Sequence, residues 1–122
     1  MADARKHVLV VDDDPPIAAL ISAHLFAEGY DVEMAFSGEA ALEKAAERKP
    51  DIVLLDLRLP GIDGIETLVR IKATAPKILG VMVTGVYEAE ECKRAFDAGA
   101  SDYVTKPIDF QYLKNTIYNL LA

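Results

Sequence analysis

The chain has 122 residues, 52% of them hydrophobic, and 20 acids against 13 bases give it a formal net charge of −7. That length suits one globular domain over residues 1–122, large enough to bury a core without covalent staples. A single cysteine excludes an internal disulfide and a multi-cysteine metal site, the acidic balance disfavours non-specific binding to nucleic acid or anionic lipid, and no apolar run approaches the ~20 residues of a membrane span. Residues 1–7 are short and polar, so no signal peptide is expected and a cytoplasmic setting is the default.

Short β-rich runs alternate with stretches of helical periodicity. The first run covers residues 7–12. Asp14-Pro15-Pro16 then reads as an N-cap followed by proline at the first helical position. Ile17, Leu20, Ile21 and Leu25 mark one face of that helix, and Gly29 ends it. A second run at residues 30–36 leads to a helix capped by Ser37, with Leu42, Ala45 and Ala46 expected inward. The third run, residues 51–57, precedes a helix capped by Asp63 with Ile65, Leu68 and Val69 inward. After the fourth run, residues 78–84, Ala89, Cys92, Ala95 and Phe96 form a stripe closed by Gly99. Glu88, Glu90 and Glu91 are expected to face solvent at its start, where acids suit the helix dipole. The fifth run, residues 101–105, leads to a helix striped by Phe110, Leu113, Ile117, Leu120 and Leu121, with Tyr112 and Tyr118 off the stripe.

Five β-α units in succession imply an α/β fold, a doubly wound parallel sheet with helices on both faces and right-handed crossovers. The first, third and fourth runs are nearly all apolar, as strands buried on both faces must be. Asp31-Val32-Glu33-Met34 alternates, and the fifth run is short and polar, so these two belong at the edges. That matches the order 2-1-3-4-5 of flavodoxin-like sheets, in which ligands gather at the carboxyl ends of the strands.

Those ends carry Asp12-Asp13-Asp14, Asp56, Thr84-Gly85 and Thr105-Lys106-Pro107. Crowded carboxylates are costly to bury unless a proton, a lysine or a hard cation neutralises them. Oxygen ligands without nearby histidine or cysteine suit Mg²⁺. A carboxylate nucleophile beside Mg²⁺, with Lys106 and the Thr84 hydroxyl opposite, is a constellation for phosphoryl transfer to aspartate. Taken singly, each residue has a plainer reading: Asp12 and Asp13 as helix caps, Thr84 as a strand-end residue, Lys106 as a solvated lysine. Their joint placement is what counts. Asp14, by contrast, is assigned to capping, Cys92 to packing, and His7 and His24 to structure or surface.

In these motifs the chain resembles the receiver domain of two-component response regulators, the chemotaxis-regulator-like fold. The resemblance runs from Val8 to the last helix. It rests on Val10-Val11-Asp12-Asp13, Leu55-Asp56 with Leu59-Pro60-Gly61 and Asp63-Gly64, Val83-Thr84-Gly85, and Ala98-Gly99-Ala100-Ser101-Asp102-Tyr103 leading to Lys106-Pro107. It implies that Asp56 is the phosphoacceptor. Asp13 would bind Mg²⁺ directly, Asp12 mainly through water, and the Arg58 backbone carbonyl would complete the protein ligands together with Asp56. Thr84 and Lys106 would contact the phosphoryl group, Thr84 and Tyr103 would act as the switch pair, and Arg58 and Val86 would tune the lifetime of the phosphorylated form. A cis bond before Pro107 is expected on the same ground.

The implied partner is a histidine kinase or histidine phosphotransfer protein. The implied output is a homodimer or a downstream target engaged through residues 88–121, without direct contact with nucleic acid or membrane. The chain would then be a phosphoacceptor and not an enzyme with an external substrate. It is either a stand-alone receiver or the N-terminal receiver of a longer regulator with a DNA-binding or enzymatic output domain. Two further readings compete. A Mg²⁺-dependent phosphatase of the haloacid dehalogenase type needs a second aspartate two residues after its nucleophile, where Arg58 stands. A flavin carrier needs a hydroxyl-rich phosphate loop, where Asp12-Asp13-Asp14 would repel the phosphate.

Overall fold

Runs of β-branched and aliphatic residues form five parallel strands in the computed structural model, which describes residues 5–122. They are β1 (His7–Val11), β2 (Asp31–Ala35), β3 (Ile52–Leu55), β4 (Leu79–Thr84) and β5 (Asp102–Thr105), and each is followed by a helix. The helices are α1 (Pro15–Ala27), α2 (Gly38–Glu47), α3 (Gly64–Thr74), α4 (Ala89–Asp97) and α5 (Phe110–Leu121). The strand order is β2-β1-β3-β4-β5, the expected flavodoxin-like order, with the three apolar runs central and the other two at the edges. The absence of a signal peptide, expected for residues 1–7, concerns in part residues 1–4, which lie outside those described.

Side-chain alternation explains why the central strands look uniformly apolar. Leu9, Val11, Val53, Leu55 and Met82 enter one core, roofed by Ala41 of α2, Leu68 and Ile71 of α3 and Ala95 of α4. Val8, Val10, Ile52, Leu54, Val81 and Val83 enter the other, roofed by Ala18, Ile21 and Leu25 of α1 and Leu113 and Ile117 of α5. Both faces need apolar side chains because both are covered.

Helix starts follow their capping residues. Asp14, Ser37, Asp63 and Asp109 accept the backbone N–H of Ile17, Ala40, Glu66 and Tyr112 respectively. Gly29 and Gly99, the expected terminators, sit at positive φ of 96° and 108°. The bond between Lys106 and Pro107 is cis, as expected.

Several side chains expected inward are exposed. Leu20 is one, because α1 is apolar nearly all round and its sequence does not single out a face; Ala18, Ile21 and Leu25 are the buried set. On α2 the buried residues are Gly38 and Ala41, while Leu42 and Ala45 are half-buried and Ala46 is exposed. Gly38 at the start of α2 lies against Thr67 and Ile62, and the helix is buried there and at Ala41 rather than along the expected stripe. Val69 is exposed, and α3 instead buries Ile65, Leu68 and Ile71. Phe96 is 48% exposed, since α4 buries only Ala95. Glu91, expected in solvent, accepts Arg94 Nη1 at 2.8 Å and its side chain is largely covered; Glu88 and Glu90 are exposed. His7 is buried, and its Nε2 lies 2.9 Å from Glu33 Oε1 on the neighbouring edge strand.

Gly64, at the first position of α3, is the glycine that bears most directly on the strand ends. A Cβ there would lie 2.2 Å from the backbone oxygen of Asp56. The helix can therefore start directly against the end of β3 only because this residue has no side chain. Gly64→Ala is expected to cost roughly 1–3 kcal/mol of stability by this overlap with rigid backbone, measured as a lowered urea midpoint.

Candidate functional site

Parallel pairing aligns the strand ends, and backbone bonds one step past the ladder hold the functional residues. Asp12 N–H donates to Ala35 O at 3.1 Å, Asp56 N–H to Val11 O at 2.9 Å and Lys106 N–H to Thr84 O at 2.9 Å. The charged side chains therefore leave the sheet from fixed backbone positions.

Asp12, Asp13 and Asp56 each offer a carboxylate oxygen, and these lie within 4.8 Å of one another. Asp12 and Asp56 are buried and Asp13 is exposed. Lys106 Nζ sits 2.7 Å from Asp12 Oδ2 and 2.9 Å from Asp56 Oδ2. Asp12 Oδ1 accepts the Asp14 backbone N–H at 2.9 Å, and Asp56 Oδ1 accepts the Arg58 N–H at 3.2 Å. Each oxygen of these two buried carboxylates thus has a partner on the protein.

One ammonium does not discharge two buried acids. Burial, aided by the Asp56 charge, holds the Asp12 carboxyl above the usual aspartate value despite Lys106 and the Asp14 amide. For Lys106, burial works against the charge, but bonds to two carboxylates outweigh it and raise the ammonium above its ordinary value. The site carries surplus negative charge, and a hard divalent cation is the group that an all-oxygen donor set of this kind takes.

Thr84 is buried, and its Oγ1 accepts the Val86 N–H at 3.3 Å. The Tyr103 hydroxyl donates to the Val86 carbonyl. One residue, Val86, therefore joins the expected switch pair through both of its backbone polar groups. Burial, with the Cys92 thiol next in effect, pushes the Tyr103 phenol up to about 12. The Arg58 residue is exposed. Beside Asp13 a cleft of about 640 Å³ opens between the loop after β3 and α4, lined by Arg58, Pro60, Glu88, Glu91 and Arg94 among others.

The sequence did not reveal the backbone amides of Asp14 and Arg58 or the double role of Val86, because main-chain donors leave no residue-type signature. Gly64 did leave one: a glycine in the first turn of a helix, directly after its cap.

The family model for the response regulator receiver domain matches residues 8–118. The chain belongs to that family. The transcriptional regulatory protein ZraR of Salmonella typhimurium is 42% identical over 122 residues, covering 100% of this chain and 28% of that protein. The DNA-binding dual master transcriptional regulator RpaA of Synechocystis is 35% identical over 116 residues, 93% of this chain and 48% of that protein. The chain thus spans between about a quarter and a half of the length of these relatives. The CheY-like receiver domain protein of Methanospirillum hungatei superposes with a TM-score of 0.92 at 32% identity, covering 95% of this chain and 93% of that one. The receiver domain of NtrX from Brucella abortus gives 0.88 at 34% identity over 93% and 97%. Receivers in this family bind Mg²⁺ at their acidic pocket.

The raised Asp12 value sets a sign. In metal-free protein the folded state holds this proton more tightly than the unfolded chain, so Asp12 contributes stability at low pH. That contribution is lost as pH rises from the ordinary aspartate range through the raised value. Asp12→Asn is expected to melt higher than wild type in EDTA at neutral pH, with the advantage shrinking as pH falls. Added Mg²⁺ is expected to raise the wild-type melting temperature more than that of the variant.

Proposed function

We propose that this chain is a phosphorelay acceptor whose phosphoryl group is carried by Asp56. The observation that supports it most directly is the state of that carboxylate. It is buried at the end of β3, with one oxygen on Lys106 at 2.9 Å, the other on the Arg58 amide at 3.2 Å, and two further aspartates within ligand distance. Such a group is held in place by a fixed cation and a backbone amide at the carboxyl end of its strand.

Asp12, Asp13, Asp56 and the backbone carbonyl of Arg58 are the groups that would hold Mg²⁺. When bound, the ion supplies charge compensation for the phosphoryl oxygens. An Asp56 oxygen attacks the phosphorus of a phosphohistidine on a histidine kinase or histidine phosphotransfer protein. The O–P bond forms as the N–P bond breaks, and the departing imidazole takes up a proton. Lys106 stabilises charge on the transferred group and the Thr84 hydroxyl hydrogen-bonds one of its oxygens. Asp56 is consumed as it reacts, so no external substrate is turned over. The cleft beside Asp13 gives the donor a route to the site.

Thr84 and Tyr103 form the switch. A Thr84 hydroxyl drawn toward the phosphoryl group releases the Val86 N–H, and the same peptide segment carries the carbonyl that Tyr103 holds. The change is read on the surface formed by residues 88–121, through a homodimer or a downstream target. α4 suits such movement, because it buries a single side chain and its Glu88 cap makes no side-chain hydrogen bond. The domain is expected to act in the cytoplasm, either by itself or at the N-terminus of a regulator with an output domain. Among the described residues no helix is long and apolar enough to cross a membrane.

Incubation with Mg²⁺ and acetyl phosphate is expected to add one phosphoryl group by intact mass, and Asp56→Ala is expected to add none. Failure of both acetyl phosphate and beryllofluoride to modify or bind wild type would overturn the assignment. Apolar Val86 cannot orient a hydrolytic water, so Val86→Asn is expected to shorten the phosphorylated lifetime, followed by decay of the phosphorylated mass.

A further inference from the structure

The loop between Asp56 and α3 carries the Arg58 carbonyl, yet its middle is sparsely held. At its ends, Arg58 N–H donates to Asp56 Oδ1 at 3.2 Å and Gly64 N–H to Leu57 O at 2.9 Å. Between them, among the described residues, Leu59 to Ile62 are held by one hydrogen bond only. Ile62 N–H donates to Oε2 of Glu39, at the start of α2, at 3.2 Å.

The surrounding residues are shaped around this contact. Gly61 has φ of +74°, and a Cβ on it would lie 2.4 Å from Glu39 Oε2. A Cβ on Gly38, the residue before Glu39, would lie 2.6 Å from Ile62 Cγ1 and 2.2 Å from Thr67 Oγ1. Two glycines, one on each side, thus let the first turn of α2 press against the loop and bring the carboxylate onto its backbone. Glu66 on α3 and Glu28 after α1 pair with arginine and lysine side chains. Glu39 instead takes a backbone N–H in a different element, 23 residues away.

We infer that Glu39 is a positioning residue: by holding Ile62 it fixes the loop that presents the Arg58 carbonyl, and so sets the affinity of the acidic pocket for Mg²⁺. This inference rests on the receiver reading of the site. The hydrogen bond needs an acceptor oxygen and not a charge, which separates it from two merely structural roles. A glutamate in the first turn also favours the helix dipole, and an acid near the pocket also attracts cations; both act through charge.

The test compares Glu39→Ala with Glu39→Gln, which loses the charge but keeps an acceptor. Two quantities are read: amide exchange of Ile62 by NMR, and Mg²⁺ affinity by calorimetry, with urea unfolding as the control for global stability. The expected result is faster Ile62 exchange and Mg²⁺ affinity weakened about tenfold in Glu39→Ala, the scale seen when a group supporting a metal ligand is removed. Glu39→Gln is expected to keep both close to wild type. Unchanged Ile62 exchange or Mg²⁺ affinity in Glu39→Ala would overturn the inference. So would a Glu39→Gln as impaired as Glu39→Ala, because charge would then be the cause. If wild type itself bound no Mg²⁺, the receiver reading would fall, and with it the metal half of this inference, while Ile62 exchange would still decide the tether.

Discussion

The Lys106 ammonium between Asp12 and Asp56 is the interaction that holds the site together. Two carboxylates stand side by side at the end of adjacent strands, and both are withdrawn from water. Without a cation that arrangement is strongly unfavourable. Lys106 reaches both from the end of β5, at the far edge of the sheet, and its cis-proline turn follows directly. It compensates one charge of the pair. Burial, with the Asp56 charge adding to it, holds the Asp12 carboxyl above its ordinary value, and the charge left over gives the all-oxygen pocket the character that suits a hard cation.

Main-chain groups do much of the positioning around that pair. The amides of Asp14 and Arg58 occupy the carboxylate oxygens that Lys106 leaves, and Val86 links the Thr84 hydroxyl to the Tyr103 hydroxyl. These groups belong to loops, whereas the side chains they orient leave from strand ends. The rigid sheet thus fixes where charge sits, and the loops fix how it is presented. Farther out, the Asp102 carboxylate accepts the Tyr112 hydroxyl at 2.9 Å and ties β5 to α5. α4 buries one side chain and has no capping side chain, which makes it the cheapest element on that face to shift.

The contrast between strands and helices shows what could be read in one dimension. Ile52-Val53-Leu54-Leu55 has one physical solution, a strand covered on both faces, and it occupies that place. The caps Asp14, Ser37 and Asp63 act within three residues of themselves, so local sequence specifies them. Leu20, Val69 and Phe96 misled because an apolar helical residue declares that it can be buried and not that a neighbour is there to bury it. Glu39 carried no mark at all, since its partner is a backbone amide from another element.

Strand order, helix starts and the cluster of aspartates, lysine and threonine at one edge of the sheet were all legible in the linear chain. Alternation, capping and strand-end placement are short-range rules, and each acts on a few consecutive residues. Packing in three dimensions settled the rest: which helical faces are covered, which amides occupy the carboxylate oxygens and how Val86 joins Thr84 to Tyr103. Those outcomes depend on distances between segments far apart in the chain, such as the 94 residues separating Lys106 from Asp12. No local pattern encodes such distances, because they arise only when whole elements pack against one another.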